Sequence, residues 1–201
     1  MPRRANVRPD EPGRRRVLEA GSRLFSERGY QDTSIAEIGR RADIAKSVLY
    51  HYFGSKAGLY EAIVEAETRE LVDRVAVAVP PDTDAPRLRA GVEAYLGFLA
   101  ERPAAWRLLL RDPPSDPELV EVHRRLAAER TEALAALLAT PGKRARSGPH
   151  LELVATAIRT FAAWWYEHRE VPQQRITEAI LDVAAAGARH LEVGRGAPAP
   201  G

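Results

Sequence analysis

Residues 33–56, TSIAEIGRRADIAKSVLYHYFGSK, decide the fold of this chain because they specify short helices separated by tight turns. Ser34 begins the first of these helices, since Ser34 and Glu37 have the S-x-x-E spacing of a reciprocal capping box. Its apolar stripe is formed by Ile35, Ile38 and Ala42. Asp43 follows where the chain must turn sharply, and aspartate tolerates the left-handed conformation that such a turn requires. The pattern therefore predicts a helix, a tight turn and a second helix.

The second helix is predicted at about residues 45–52, with Val48 or Leu49 turned inward. The side chains left on its outer side are those of Lys46, Ser47, Tyr50 and His51. A third helix opens at Ser55, whose hydroxyl can cap it, and Lys56 lies near that helix N-terminus, where a cation needs a nearby anion. This is the layout of a helix-turn-helix, in which the second helix enters the major groove of duplex DNA and a phosphate supplies the anion.

The segment from Val17 to Ile63 resembles the N-terminal domain of the TetR family of bacterial transcriptional repressors. The resemblance is carried by Phe25, Gly29-Tyr30, Thr33-Ser34-Ile35, Ile38, Leu49 to Lys56, and Leu59. It implies a symmetric dimer that binds a palindromic operator and releases it when a small molecule occupies the C-terminal domain. The chain departs from the family pattern at Asp43, Ala45 and Val48, which replace a turn glycine, a capping serine and a commonly polar residue. Ala45 cannot cap a helix, and the side chain of Val48 cannot donate a hydrogen bond.

The resemblance also implies roles for individual residues. Lys46 and Ser47 are expected to face base edges, and Lys56 is expected to bind a phosphate. Contacts with the DNA backbone are expected from Thr33, Tyr50, His51 and Tyr52. Ser34 and Val48 complete the part of the predicted DNA-binding set that lies in this segment.

The positive charge of the chain is concentrated at its N-terminal end. The formal net charge is +2, but residues 1–56 carry 12 Lys/Arg against 7 Asp/Glu, and the remainder carries 18 against 21. A positive surplus at the predicted DNA end is what phosphate neutralisation requires. Residues 1–13 are predicted to be a disordered basic arm, in which Arg3 and Arg4 either bind along the minor groove or form a solvated tail.

The composition excludes several classes of protein. The 201 residues include 45% hydrophobic and 29% charged residues, which is ordinary for a globular chain. There is no cysteine, so neither a disulfide nor a thiolate metal site is possible. No apolar run approaches the length of ~20 residues that a membrane helix needs, and residues 1–16 lack the apolar core of a secretory signal. We therefore expect a cytoplasmic protein without a membrane partner.

Beyond residue 56 the chain has helical periodicity interrupted by prolines, with no convincing strand and no internal repeat. Helices are predicted at about 56–79, 85–101, 103–110, 118–139, 150–167 and 173–192. The predicted fold class is all-α, with about nine helices. An N-terminal three-helix DNA-binding domain with the helix-turn-helix (14–56) precedes a helical ligand-binding and dimerisation domain (57–192) and a disordered tail (193–201).

The last two long helices are predicted to form a dimer interface. Each is apolar on more than one side, so each must be buried on more than one side. The predicted interface residues are Val154, Ile158, Ile180, Val183, Ala184 and Gly187. A twofold dimer would place two recognition helices in successive grooves about 34–36 Å apart. The alternative is that both helices are internal core of a monomer.

A ligand-binding site is predicted among aromatic residues with polar tips in the later helices, the mixture that lines small-molecule cavities. The candidates are Tyr95, Phe98, Trp106, His123, Arg159, Phe161 and Trp165. Ordinary core aromatics follow the same pattern, and His123 can either face a cavity or sit half-exposed at its rim. The set favours a flat, mostly apolar effector.

The predicted function is a sequence-specific DNA-binding transcriptional regulator, a repressor released from a palindromic operator by a small, mostly apolar effector. The alternative is a constitutive or protein-controlled DNA-binding regulator. An enzyme is not expected, because the five histidines are far apart and no H-E-x-x-H pair, glycine-rich phosphate loop or G-x-S-x-G elbow is present. We expect no catalytic residue, metal site or cofactor. The expected partners are double-stranded DNA, a second copy of the chain and an unidentified small molecule.

Overall fold

The computed structural model describes residues 12–80, 84–110, 116–138 and 149–193, of which the side chains at 84–86, 118, 149–154 and 187–193 lie outside the description. All regular structure in these ranges is helical, and the all-α prediction is confirmed. The nine helices of the described residues are α1 (Pro12–Arg28), α2 (Ile35–Ala42), α3 (Lys46–Phe53), α4 (Lys56–Ala78), α5 (Asp84–Glu101), α6 (Pro103–Leu110), α7 (Pro117–Leu138), α8 (Pro149–Glu167) and α9 (Gln173–Val193).

Proline is the first residue of four of these helices. Pro12, Pro103, Pro117 and Pro149 occupy the first helical position of α1, α6, α7 and α8. A proline is well suited to that position because its fixed φ matches the helix and no partner is needed for its missing N–H. The limits predicted for α3 to α9 differ from the observed ones by one residue at most, and for α6, α7 and α8 the proline explains where the helix begins.

The first compact unit contains α1 to α3, α4 up to Glu70, α6, and α7 up to Glu129. Within it α2 packs on α1 and α3, and α6 packs on α1. Its most deeply buried side chains include Val17, Leu24, Ile38, Leu49, Leu59 and Ile63. The predicted apolar stripe of α2 is buried, and Leu49 is the residue of α3 that enters the core. The opposite face of α3 is thereby turned outward.

Only one of the two hydrogen bonds of the predicted capping box forms at the start of α2. The Ser34 hydroxyl accepts a hydrogen bond from the Glu37 backbone N–H at 3.1 Å, as predicted. The Glu37 carboxylate, however, accepts from Arg28 Nη1 at 2.6 Å instead of reaching back to the Ser34 backbone. A guanidinium is a stronger partner for a carboxylate than a neutral amide. The reciprocal box is therefore replaced by an ion pair that joins α1 to α2.

The turn after α2 has the conformation predicted for it. Asp43 is left-handed, with φ 56 and ψ 49. The N–H of Ile44 donates to the carbonyl of Gly39 at 2.9 Å, and that of Asp43 donates to Arg40 at 3.4 Å, which together form a Schellman motif. A Cβ on Gly39 would lie 2.7 Å from the Ile44 carbonyl oxygen, so this close turn requires a glycine on its helical side.

The N-terminus of α3 lacks a side-chain cap, because its N-cap residue is Ala45. Replacing Ala45 by serine is expected to raise the free energy of unfolding by about 1 kcal/mol, since Ala45 has the extended backbone from which a serine hydroxyl accepts a first-turn N–H. Urea denaturation at fixed protein concentration measures the change. The control is Ala128→Ser, at an exposed interior position of α7, where serine should instead cost a few tenths of a kcal/mol. Equal effects of the two substitutions would contradict the capping argument.

The junction between α3 and α4 is short and closely packed. Gly54 has φ 73, a conformation that favours glycine. The Ser55 hydroxyl accepts a hydrogen bond from the Gly58 N–H at 2.9 Å, so the cap predicted for the third helix is confirmed. This arrangement sets Lys56 at the first position of α4, directly after the turn.

The second compact unit contains α4 from Leu71, α5, α7 from Arg130, α8 and α9. Within it α8 and α9 pack on each other and both pack on α5. Arg89 of α5 donates to both carboxylate oxygens of Glu178 of α9, at 2.8 and 3.1 Å. The indole N–H of Trp165 donates to the carbonyl of Val171 at 2.8 Å. The core of this unit includes Leu71, Val92, Leu96, Phe98, Ala162 and Ile180.

Candidate nucleic-acid interface and ligand cavity

The outer face of α3 presents polar and aromatic side chains to solvent. Lys46, Ser47, Tyr50 and His51 are exposed, whereas Leu49 on the opposite side is fully buried and anchors the helix. The ammonium of Lys46 lies 5.6 Å from the centre of the Tyr50 ring, a cation–π contact that holds both side chains on this face. The two half-buried residues of the face are Val48 and Tyr52. A helix with such a face can present hydrogen-bond donors to base edges and phosphates.

The charges beside this face are predominantly positive. Arg40 and Arg41 of α2 are exposed. The carboxylate of Glu37, in the first turn of α2, is paired with Arg28. The ion pair reduces the repulsion that Glu37 would exert on an approaching phosphate. The surface formed by α2 and α3 is thus suited to a polyanion.

Lys56 is held at the edge of this surface by two contacts. Its ammonium donates to the carbonyl of Gln31 at 3.1 Å and lies 4.4 Å from the centre of the Tyr30 ring. Partial burial lowers the pKa of Lys56, and the nearby charge of Asp32 acts in the opposite direction. An ammonium has three donors, so it can bind an additional oxyanion while keeping its bond to Gln31.

Thr33 is the one residue of the predicted DNA-binding set whose side chain is fully buried in the described structure. Its exposure is 1%, and its hydroxyl donates toward the carbonyls of Gly29, at 2.8 Å, and Leu24, at 3.2 Å. These bonds satisfy carbonyls at the end of α1, which explains why a threonine is useful there. The side chain of Thr33 is therefore not available for the backbone contact predicted for it. The neighbouring Ser34 remains exposed.

The predicted basic arm lies mostly outside the described residues, and this includes Arg3 and Arg4. The described residues begin at Pro12, the first residue of α1. Arg14 places its guanidinium 5.8 Å from the centre of the Phe53 ring, at the end of α3. The start of α1 is thereby tied to the helix that carries the exposed face.

The second unit contains a cavity of about 60 Å³ that opens to solvent. Helices α4, α5, α7 and α8 line it, mostly with aliphatic side chains. The lining residues are Val75, Gly91, Val92, Tyr95, Arg130, Thr131, Leu134, Ala135, Leu138, Ala155, Ile158 and Arg159. A Cβ on Gly91 would lie 2.4 Å from a methyl group of Leu138, so a larger residue at position 91 would require the Leu138 side chain to move.

One part of the cavity wall is polar and basic. Arg130 is 5% exposed and Tyr95 is 6% exposed, whereas Arg159 is exposed to solvent. Burial lowers the pKa of Arg130, Tyr95 opposes this, and the charge of Arg159 lowers the pKa further. Burial also raises the pKa of Tyr95, against the effect of the two arginines. The three groups therefore lie within electrostatic reach of one another.

Only two of the seven predicted ligand-binding residues, Tyr95 and Arg159, are among the described residues that line this cavity. Phe98 and Trp165 are core residues, and Phe161 is half-buried elsewhere in the second unit. The remaining two, Trp106 and His123, belong to the first unit, where His123 Nε2 lies 2.6 Å from the Tyr60 hydroxyl. His123 thus packs, half-buried, against Tyr60.

Arg130 is the charged residue among the cavity residues that sequence reasoning missed. It continues the buried stripe of α7 formed by Leu119 and Leu126, four residues after the second of them. An arginine on the apolar side of a helix is unusual, because a guanidinium is rarely buried fully. That exception to the periodicity is the signal by which the sequence alone indicates Arg130.

The six predicted dimer-interface residues occupy different environments. Val183 is 46% exposed and Ala184 is half-buried, both on α9. Ile180 is 1% exposed within one protomer, and Ile158 lines the cavity. The side chains of Val154 and Gly187 lie outside the described part of the chain. On α8 the most exposed large apolar side chain that the structure describes is Trp164, at 45%, which stacks on His168.

Within the described residues, no three or more His, Asp or Glu side chains are grouped so that they could hold a metal ion. Among the same residues, no helix has the length and apolarity needed to span a membrane.

Two family models match the chain. The model described as "Bacterial regulatory proteins, tetR family" matches residues 17–63, which include the whole helix-turn-helix. The model described as "Tetracyclin repressor-like, C-terminal domain" matches residues 85–187, which include most of the cavity lining.

Individual proteins show the same likeness. The HTH-type transcriptional activator FasR of Mycolicibacterium smegmatis is 30% identical over 198 residues, 96% of this chain and 90% of FasR. A tetR-family transcriptional regulator from Streptomyces coelicolor, 26% identical, has a TM-score of 0.66 over 86% of this chain and 81% of its own. FadR from Bacillus subtilis, solved in complex with stearoyl-CoA, has the same fold, with a TM-score of 0.71 at 15% identity over 86% of this chain and 98% of its own.

Proposed function

We propose, from the premise that this chain belongs to the TetR family of bacterial DNA-binding transcriptional regulators, that it binds a palindromic operator as a homodimer and releases it when a small molecule fills its cavity. The single observation that carries the proposal is the exposed face of α3, with Lys46, Ser47, Tyr50 and His51 turned to solvent. The matched relatives are regulators and not enzymes, and no catalytic residue is part of the proposal.

The proposed DNA contacts follow from exposure. Lys46 and Ser47 lie in the first turn of α3, the end from which a recognition helix contacts base edges. Tyr50, His51 and Tyr52 lie further along α3 and are proposed to contact the DNA backbone. The other contacts of the proposal come from Ser34, Val48, Lys56, Arg3 and Arg4. The side chain of Thr33 is omitted because its hydroxyl is bonded inside the protein.

Exposed apolar side chains on α8 and α9 support the homodimer. Trp164 and Val183 are each nearly half exposed, and a large exposed apolar side chain gains free energy when a partner covers it. Ala184 on α9 is small enough to let a partner helix approach. Ile180 is not proposed as a contact, because it is already buried within the protomer.

The cavity favours a regulator with a small-molecule effector over a constitutive or protein-controlled one. Val75, which lines the cavity, and Lys56, the proposed phosphate ligand, belong to the same uninterrupted helix, α4. A ligand that binds better to one conformation of this helix weakens operator binding by the same factor by which the operator weakens ligand binding. The proposed mechanism is therefore a shift of population between an operator-binding and a ligand-bound conformation.

Repression is the proposed effect of operator binding, as the family resemblance implies. The relative FasR bears the name of an activator, so activation is the second candidate. In vitro transcription from the chain's own operator distinguishes the two, because a repressor lowers the yield of transcript when it is added and an activator raises it.

Selection of bound fragments from random duplex DNA tests the proposed function most directly. The expected product is a palindrome whose half-sites are centred about one helical turn, or a multiple of it, apart. Recovery of no preferred sequence, or of a single half-site without symmetry, would contradict sequence-specific binding by a twofold dimer.

Replacing Lys56 by alanine is expected to weaken binding to all duplexes by a similar factor. Loss of one phosphate contact in each subunit should also reduce the slope of log K against log salt by about one ion per subunit. Titrations of DNA at several salt concentrations measure the slope. Arg69→Ala, which removes an exposed cation further along α4, is the control and should leave the slope unchanged. An unchanged slope in the Lys56 variant would exclude its phosphate role.

A further inference from the structure

We propose that His123 of α7 is a positioning residue for DNA binding, because its hydrogen bond to Tyr60 fixes the aromatic surface on which the ammonium of Lys56 rests. The inference rests on the proposed function, in which Lys56 binds a phosphate, and adds a residue to it. The sequence predicts that His123 contacts an effector, but His123 lies in the first unit, with the helix-turn-helix, and is not among the described residues that line the cavity.

Tyr60 and His123 join α4 to α7 within the first unit. The Tyr60 hydroxyl and His123 Nε2 are 2.6 Å apart, and the centres of the two rings are 5.5 Å apart. Tyr60 is 3% exposed, and a buried phenol needs a hydrogen-bond partner inside the protein because water does not reach it. The half-buried His123 supplies that partner. The bond therefore fixes where the Tyr60 ring lies.

Tyr60 belongs to a cluster of three aromatic rings. Its ring meets the rings of Phe25 and Tyr30 edge to face, with centres 5.3 and 5.4 Å away. Phe25 and Tyr30 stack on each other with centres 5.6 Å apart, so each ring of the cluster contacts the other two. Aromatic pairs at these separations have preferred relative orientations. A displacement of the Tyr60 ring therefore changes the position of Tyr30 as well.

Lys56 rests on the segment that this cluster holds. Its ammonium lies 4.4 Å from the centre of the Tyr30 ring and donates to the carbonyl of Gln31, the next residue, at 3.1 Å. Tyr60 follows Lys56 by four residues on α4, so the contacts run from α4 through Tyr60 and Tyr30 back to Lys56. A lysine loses side-chain entropy when it binds a phosphate. Because the ammonium is already held, part of that loss has occurred in the free protein.

NMR spectroscopy of the full chain, without DNA, tests where the Lys56 ammonium lies. The sequence contains three lysines, so isotopic labelling of lysine gives few signals. The Tyr30 ring should shift the terminal methylene protons of Lys56 upfield, and His123→Leu, which removes the hydrogen bond, should reduce that shift. Lys46, whose ammonium is 5.6 Å from the centre of the Tyr50 ring, is the internal control, because its signal should stay in place. An unchanged Lys56 signal in the variant would overturn the inference.

Further variants assign the effect to the hydrogen bond. His123→Gln keeps a side chain that donates and accepts, and should return the Lys56 signal to near its parent position. Tyr60→Phe removes only the hydroxyl, so it should reproduce the effect of His123→Leu, and it decides the question if that variant does not fold. Arg124→Met, which alters the next residue of α7, exposed and paired with Glu121, is the control and should leave the signal unchanged. A glutamine that restores nothing would contradict the inference.

Titrations with DNA connect the position of Lys56 to operator binding. His123→Leu should weaken binding about three- to tenfold, as expected from the loss of one hydrogen bond. It should also reduce the slope of log K against log salt, by less than Lys56→Ala does. In a Lys56→Ala background the effect of His123→Leu on affinity should be less than about twofold, because the group that it positions is absent. Equal losses in the two backgrounds would show that His123 acts elsewhere and would refute the proposal.

Failure of the proposed phosphate role gives a different result from failure of this inference. An unchanged salt slope in Lys56→Ala, with a Lys56 signal that still depends on His123, would contradict the phosphate role and leave the link from His123 to Lys56 established. A reduced slope in Lys56→Ala, with a Lys56 signal independent of His123, would support the phosphate role and overturn the inference.

Discussion

Gly58→Ala is expected to lower the free energy of unfolding by about 3 kcal/mol, the upper end of the usual cost of overpacking. An ideal Cβ at position 58 would lie 2.2 Å from the carbonyl oxygen of Phe53. That oxygen belongs to the backbone at the end of α3, so it cannot move away by a rotation of a side chain. Either the end of α3 or the first turn of α4 has to shift, which also displaces Lys56 from the edge of the surface formed by α2 and α3. We therefore expect operator affinity to fall together with stability.

The matched control is Gly97→Ala in α5, where a Cβ would meet nothing within 4 Å. Both glycines are helical, and alanine is favoured over glycine in a helix by up to about 1 kcal/mol. Gly97→Ala should therefore stabilise the protein slightly, whereas Gly58→Ala should destabilise it against the same gain in helix propensity. Chemical denaturation at one fixed protein concentration gives both values. Similar changes in the free energy of unfolding of the two variants would show that the backbone between α3 and α4 accommodates the added Cβ at little cost.

Lys46→Ala is expected to reduce affinity for the selected operator by about a hundredfold, because the loss of one base contact costs roughly 1–3 kcal/mol and a twofold dimer loses two. Lys46 is exposed in the first turn of α3, with its ammonium over the Tyr50 ring. Binding to unrelated duplexes should fall much less, since it depends on phosphate contacts made elsewhere on the surface. The ratio of specific to non-specific affinity, measured on the same preparation, is the deciding quantity.

Substituting each base pair of the operator in turn extends this measurement. In the parent protein one pair per half-site should account for the Lys46 contact, and in the variant that pair should no longer matter. Ser47→Ala should likewise remove the dependence of affinity on a neighbouring base pair. If Lys46→Ala weakens binding to every duplex by the same factor, as expected for Lys56→Ala, then Lys46 binds the backbone and not a base.

The local features of the helix-turn-helix could be predicted from the sequence because each depends on residues close together in the chain. The Ser34 and Ser55 caps, the left-handed Asp43 and the uncapped Ala45 all follow from the chemistry of one residue and its next few neighbours. The Glu37 carboxylate is different, because its partner is Arg28 in the preceding helix. The Glu37 carboxylate can bind either the backbone of the N-cap residue or a cation that tertiary packing brings near it. Which of the two it binds depends on the packing of α1 against α2, which local sequence does not specify.

The candidate sites were predicted less completely for the same reason. The outward face of α3 follows from periodicity once Leu49 is recognised as its core residue, and a buried residue such as Thr33 departs from the expectation only because the end of α1 lies against it. Aromatic character did not predict which residues line the cavity, because aromatic rings fill cores as readily as they line ligand sites. Of the predicted set, only Tyr95 and Arg159 line the cavity that the structure describes.

The sequence by itself determined the all-helical fold class, the approximate ends of the helices and the segment that forms the helix-turn-helix. Proline positions, caps and apolar spacing act within a turn or two of helix, so they can be recognised in the amino-acid sequence. Only the tertiary structure decided that Arg130 lies beside Tyr95 and Arg159 in one cavity, that Ile180 is core, and that Trp164 is left exposed. Such neighbours come from helices far apart in the chain, and which side chain faces which is determined by the packing of whole helices.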